Sequence, residues 1–284
     1  MPPKYKVIQC HRVAVPPVVL HDKLRKHSVD ILGKFFVGIF LLFIVQEMIP
    51  ETISLAIPTT LADVIAHFEP DATPQMIQML PKIPVCVYIY ALLFNGVFNM
   101  GEALYCLTVI RSRQVDYRAL WEGFGLYFKT LGLFIAQTLI VAFWSMFFLI
   151  PGIIALINFS QSFFMLADNP DKNIFECMLE SKIRMRGNRK MYIVYIISFL
   201  PYILLGMIIP VAAQMLFSID TSTVEGDFIM LGLNAPFYMA IGYWNLGKTI
   251  FYELLMNGGF ENFKYKDQDV FREPVDMPNF NRGV

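Results

Sequence analysis

Residues 126–150 read LYFKTLGLFIAQTLIVAFWSMFFLI, and residues 166–190 read LADNPDKNIFECMLESKIRMRGNRK. The first carries a single charge, Lys129, and is longer than the roughly 20 helical residues that cross a hydrocarbon core. The second is charged and amphipathic, and lies between two of the most apolar stretches of the chain. Side by side they predict membrane-spanning helices joined at one surface by short amphipathic ones.

The rest of the chain repeats this alternation. Of 284 residues 56% are hydrophobic, 16% charged and 15% aromatic, whereas a soluble domain carries about a quarter charged residues. The predicted fold is all-α: a polytopic membrane bundle of about six spans, at 29–50, 84–110, 126–150, 153–167, 191–217 and 228–255, inside a membrane domain of residues 21–257. Residues 1–20, with prolines paired at both ends, and residues 258–284 read as flexible tails. The outer segment 46–83 admits one short surface helix at TLADVIAHF. A reversal is expected at Pro151-Gly152, which leaves the short fourth span either a full crossing or a re-entrant half-helix. Pro201 and Pro210 predict a kinked fifth span.

Within 166–190, Asp168 or Asn169 is placed to cap a helix, with Pro170 in its first turn and Asp171 at the positive end of the dipole. Ile174, Phe175, Met178, Leu179, Ile183 and Met185 fall on one face and Asn173, Glu176, Glu180 and Arg184 on the other, with Lys182 and Arg186 able to snorkel. This describes a helix lying on a leaflet. HDKLRKHSVDILGKFF and VDYRALWEGFGLYFKTLGLF repeat the arrangement of an amphipathic helix and a basic residue before a span. Three related units of helix plus hairpin are therefore expected.

Lysine and arginine set the orientation. Lys4, Lys6, Arg12, Lys23, Arg25 and Lys26 precede the first span, Arg111, Arg113, Arg118 and Lys129 follow the second, and Lys172, Lys182, Arg184, Arg186, Arg189 and Lys190 follow the fourth. The alternate segments are acidic. Both termini are thus expected in the cytoplasm, with Arg184, Arg186, Arg189 and Lys190 against anionic headgroups of the inner leaflet.

No GxSxG, HExxH, P-loop or dinucleotide motif is present. Cys10, Cys86, Cys106 and Cys177 lack metal-binding spacing, and the balance of 23 basic and 23 acidic residues offers nothing to nucleic acid. The expectation is a protein that is not an enzyme and uses no metal or cofactor. Charges inside spans are costly and draw attention. Asn95, Asn99 and Glu102 share a helix face, as do Tyr238, Asn245, Lys248 and Tyr252. Glu102 lies nine residues from Arg111 and Lys248 nine from Asn257, so they should meet at one depth, pair, and be flanked by Gln137, Asn158 and Gln161.

The run from GEALYCL through RSRQVDYRALWEGF, FFLIPGIIALINFSQSFFMLADNPD and ESKIRMRGNRK to FYELL resembles the bacterial domain-of-unknown-function 975 family of multi-pass membrane proteins. The resemblance rests on Leu149-Ile150-Pro151-Gly152, Ala167-Asp168-Asn169-Pro170, Ser181-Lys182 and Met185 to Lys190. It departs from the family at SFLPYILLG and at residues 46–83. It implies a bacterial cell membrane and brings no activity. The function expected is contact with lipid, with another membrane protein or with a second copy. The rival is a small transporter or lipid-translocating carrier with its site at Glu102 and Lys248.

Overall fold

The computed structural model describes residues 13, 15–28, 32–68, 83–217 and 224–257. The expected tail 258–284 and residues 1–12 lie outside them. The described residues form helices joined by short turns, with one isolated antiparallel bridge, Thr60 to Pro84. Five helical stretches are long and apolar enough to cross a membrane: Leu32–Ser54, Val85–Ser112, Ala119–Phe147, Leu149–Asp168 and Arg189–Phe217.

The helices are α1 (Pro17–Ser28), α2 (Leu32–Ala56), α3 (Leu61–Phe68), α4 (Val85–Ser112) and α5 (Ala119–Glu122). A 3-10 turn (Gly123–Leu126) leads into α6 (Tyr127–Phe147), α7 (Leu149–Phe159), α8 (Ser162–Asp168), α9 (Ile174–Met185), α10 (Arg189–Phe217), α11 (Val224–Leu233) and α12 (Ala235–Asn257). The order of short helix, span and second span occurs three times: α1-α2-α4, α5-α6-α7/α8 and α9-α10-α12.

The second helices occupy the centre. Of the most apolar stretch of α4, 67% is buried, against 22% for α2 and α10 and 11% for the α5–α6 stretch. A helix enclosed on all sides needs no apolar stripe, and α4 buries Tyr90, Phe98, Met100, Tyr105 and Ile110 around its circumference. It touches α2, α5, α6, α8 and α12. The enclosure demands small residues, because helices inside a membrane gain mainly from close packing. A side chain added at Gly101 would begin 2.0 Å from the Leu120 carbonyl oxygen, and one at Gly123 2.6 Å from that of Val97.

Several predicted boundaries change. The first span runs past Pro50 to Ala56. The chain reverses at Phe148, whose φ of −156° and ψ of 145° are extended, and not at Pro151-Gly152. Pro151 sits in the first turn of α7, where its missing N–H costs no intrahelical bond. Gly152 serves close approach, since a Cβ there would lie 2.1 Å from Ser145 Oγ. The fourth span is two helices, broken at Ser160-Gln161. The sixth is also two, interrupted at Asn234 just before Pro236. The polar residues of α12 keep it out of the apolar set, and it lies against α10, α4, α2 and α1.

The expected tail 1–20 is docked where it is described. Val13 N–H donates to Asn188 Oδ1 at 2.9 Å, and Leu20 and Leu24 are buried. His21 inserts between α10 and α12, its ring centroid 4.3 Å from that of Phe199. The Ser198 hydroxyl donates to the Tyr195 carbonyl at 2.6 Å, so the 3.0 Å contact to His21 Nε2 requires Nε2–H to be the donor. Nδ1 lies 3.1 Å from the Tyr243 hydroxyl, which donates to it when the imidazole is neutral. Burial lowers its pKa below the ordinary 6.5. A depressed folded pKa contributes stability in full above 6.5 and loses it as pH falls through the folded value. The hydrogen-exchange protection of residues 17–28, relative to the intrinsic rate at each pH, should therefore fall between pH 7 and pH 5, and His21→Asn should remove that pH dependence.

Candidate functional site

Two polar centres occupy the core. The first was not foreseen and lies at the ends of α4, α8 and α12. Arg111 donates to both oxygens of Asp168, at 2.7 and 3.0 Å, and through Nε to Glu253 Oε1 at 2.7 Å. Tyr252 donates its hydroxyl to Asp168, and Asn257 donates to Glu253 at 3.1 Å. The side chains of Asp168 and Glu253 are only 15% and 8% exposed. A guanidinium matches two carboxylates with its fork of donors, so one arginine ties together the second helices of all three units. Asp168 therefore ends α8 and does not cap the amphipathic helix.

The N-cap of that helix, α9, lies four to five residues beyond the predicted Asp168 or Asn169. Asn173 is the N-cap and forms a reciprocal capping box with Glu176, which satisfies two backbone donors. Its packed face is also rotated from the predicted one. Cys177, Met178, Ser181 and Met185 are buried, with Ser181 donating to the Asn158 carbonyl at 2.7 Å. Phe175, Leu179, Lys182 and Arg186 are exposed as one stripe. Glu180, expected on the polar face, is 9% exposed and takes Lys172 at 2.5 Å and Arg184 at 2.8 Å. Burial raises the Glu180 pKa, but the hydrogen bonds and charges of Lys172 and Arg184 outweigh it and hold the carboxyl below its ordinary value. Of the four residues expected at headgroups, Arg184 is thus bound to Glu180. Arg189 is half-buried, with Nε enclosed and unbonded. Arg186 and Lys190 are exposed.

The second centre is the expected one. Glu102, Asn99, Asn245 and Lys248 line a space of about 50 Å³ together with Ser160, Phe163 and Cys106. In place of a direct Glu102–Lys248 ion pair, Asn245 donates its amide to Glu102. The Lys248 ammonium lies 4.7 Å from the centre of the Trp244 ring, a cation–π distance. Asn95 contributes its carbonyl to Asn99 at 2.7 Å. Gln137 donates to the Phe159 carbonyl at 3.1 Å. Gln161 is fully buried at the α7–α8 break with Oε1 unbonded. Asn158 faces elsewhere, toward a third space shared with Trp144, Pro151 and Lys182.

Beside the small space is a much larger cavity, of about 650 Å³. Its walls come from α4, α6, α7, α8, α10 and α12, and are mostly apolar: Phe134, Val141, Leu156, Phe159 and Ile196 among them. Asn99, Gln137, Ser160 and Lys248 form its polar part, and Asn99, Ser160, Phe163 and Lys248 border both spaces. The sequence had shown the polar residues but not the room beside them. Cys86, Cys106 and Cys177 are free thiols, and burial pushes Cys177 up to about 11, so it is un-ionised at neutral pH. No family model, curated protein or solved structure matches the chain.

Proposed function

We propose that this is a small carrier or lipid-handling membrane protein that takes an amphipathic molecule from the bilayer into the 650 Å³ cavity. The cavity itself carries the reading. Its volume falls within the roughly 300–1,000 Å³ of small-molecule sites, and an apolar wall with a few convergent polar groups is the usual composition of such sites. Lys248 and the adjoining Glu102 account for charges that are otherwise costly at this position.

The reading through lateral protein contacts is weaker. The exposed apolar residues of α2, α6 and α10 are what any bilayer-facing helix presents, and they select no partner. Both termini in the cytoplasm follow from the lysine and arginine bias, and a bacterial cell membrane follows from the family resemblance. In that orientation Phe175 and Leu179 enter the inner leaflet, while Lys182, Arg186 and Lys190 meet anionic headgroups. The proposed role is to bind and pass on the molecule without a chemical step.

Native mass spectrometry of protein released in mild detergent tests the reading. Wild type should retain an amphiphile, and Thr138→Trp/Ala142→Trp, which fills the cavity, should lose it while melting at a similar temperature. Equal retention by the two proteins would contradict a cavity site.

A further inference from the structure

The cavity has a single sign of charge. Among the residues that border the large space, Lys248 is the one ionisable at neutral pH, the others being apolar, amide, hydroxyl or indole groups together with Tyr192. Glu102 borders the small space and not the large one. Its carboxylate is occupied by the Asn245 amide, and it lies beyond 4 Å from the Lys248 ammonium, since no ion pair forms between them. The ammonium is instead at the boundary of the two spaces, over the face of Trp244.

Amides in the cavity add donors beside the ammonium, and their carbonyl oxygens add acceptors. Gln137 uses one amide hydrogen on the Phe159 carbonyl, which leaves its second hydrogen as a donor. Trp244 lines the space, but its Nε1–H is enclosed and does not open onto it. Asn99 spends an amide hydrogen on the Asn95 carbonyl and has a second one. The ammonium adds further donors. A head that bears negative charge pairs with the ammonium and accepts from these amides, whereas an amine head would be repelled by Lys248.

We infer that the ligand of the cavity is a single-chain anionic amphiphile, a carboxylate or phosphate monoester, whose head is held by Lys248 with Gln137 and Asn99 and whose chain lies along Phe134, Val141, Leu156 and Ile196. The inference rests on the reading of the cavity as a ligand site and adds the sign and shape of the ligand. One chain is specified because the mostly apolar volume, about 650 Å³, matches a drug-sized molecule better than a two-chain lipid.

The test uses the full chain in lipid nanodiscs at pH 8, with retained oleate, lysophosphatidic acid, oleyl alcohol and oleylamine measured by mass spectrometry after gel filtration. Oleate or lysophosphatidic acid should be retained about tenfold better than oleyl alcohol, the size expected for one hydrogen bond to a charged group. Whichever anion is favoured identifies the head. Lys248→Met should abolish the preference while oleyl alcohol is retained as before, and Lys248→Arg should keep it and guard against a folding artefact. Equal or better retention of oleylamine, or an unchanged preference in Lys248→Met, would overturn the anionic assignment while leaving the cavity as a site. Retention of none of the four would overturn the site and the assignment together.

Discussion

Arg111→Met is expected to be the most damaging single substitution in the protein, costing about 3–5 kcal/mol, the scale for removing one partner of a buried ionic network. The reason is the count of charges. The arginine faces two carboxylates, Asp168 and Glu253, that are nearly enclosed, with Tyr252 and Asn257 as supporting donors. Without the guanidinium two like charges remain buried beside each other, and α4, α8 and α12 lose their common tie. Asp168→Asn and Glu253→Gln should each cost less, because either leaves Arg111 with one carboxylate. Arg111→Lys should not restore the loss, since an ammonium cannot reproduce the forked contact to Asp168. The midpoint of unfolding in increasing denaturing detergent ranks the variants. A tolerated Arg111→Met, or an Asp168→Asn more damaging than it, would remove the clamp from the account.

The second large effect is expected at Gly101. A Cβ there would meet the backbone carbonyl of Leu120 at 2.0 Å, and a carbonyl cannot rotate away as a flexible side chain does. Gly101→Val must therefore separate α4 from α5 and disturb the facing Gly123 contact. A cost of about 3 kcal/mol is expected, at the upper end of overpacking effects. Gly232→Ala is the control: nothing lies within 4 Å of a Cβ at that position, and replacing glycine in a helix should be neutral or mildly stabilising. Yields of monodisperse protein and thermal midpoints compare the two. Equal behaviour would mean that α5 does not pack along α4 as described.

What the sequence could reveal is set by how local each signal is. Five of the six expected apolar stretches were legible because span length is a property of consecutive residues. The small polar space was legible because Asn95, Asn99 and Glu102 fall at helical spacing, and because Glu102 and Lys248 sit equally far from the ends of their helices. Their arrangement was not legible: it depends on Asn245 reaching Glu102 first, and on Trp244 lying under the ammonium.

The clamp was missed for a different reason. Arg111 and Asp168 are 57 residues apart and Arg111 and Glu253 142 apart, and a basic residue after a span is fully explained by topology. The threefold alternation of amphipathic helix and hairpin was the available hint, since it puts the ends of three second helices at one level. The rotation of α9 could not be read either. Periodicity places Phe175 and Leu179 on an apolar face with Met178, but does not separate a face turned to lipid from one turned to protein. Cys177 and Ser181 lie on the packed side together with Met178 and Met185. The cavity depends on helices from all three units, so no segment of the sequence contains it.

The central claim is that an amphiphile enters this cavity, and the most direct measurement is covalent. A photoreactive fatty acid with its diazirine in mid-chain would be irradiated with the full chain in nanodiscs, and the labelled peptides sequenced. The account predicts adducts concentrated on residues 134–142, 156–163 and 192–196, suppressed by an excess of unlabelled oleate. Adducts spread over the exposed faces of α2 and α10, with the cavity walls unlabelled and oleate without effect, would contradict it.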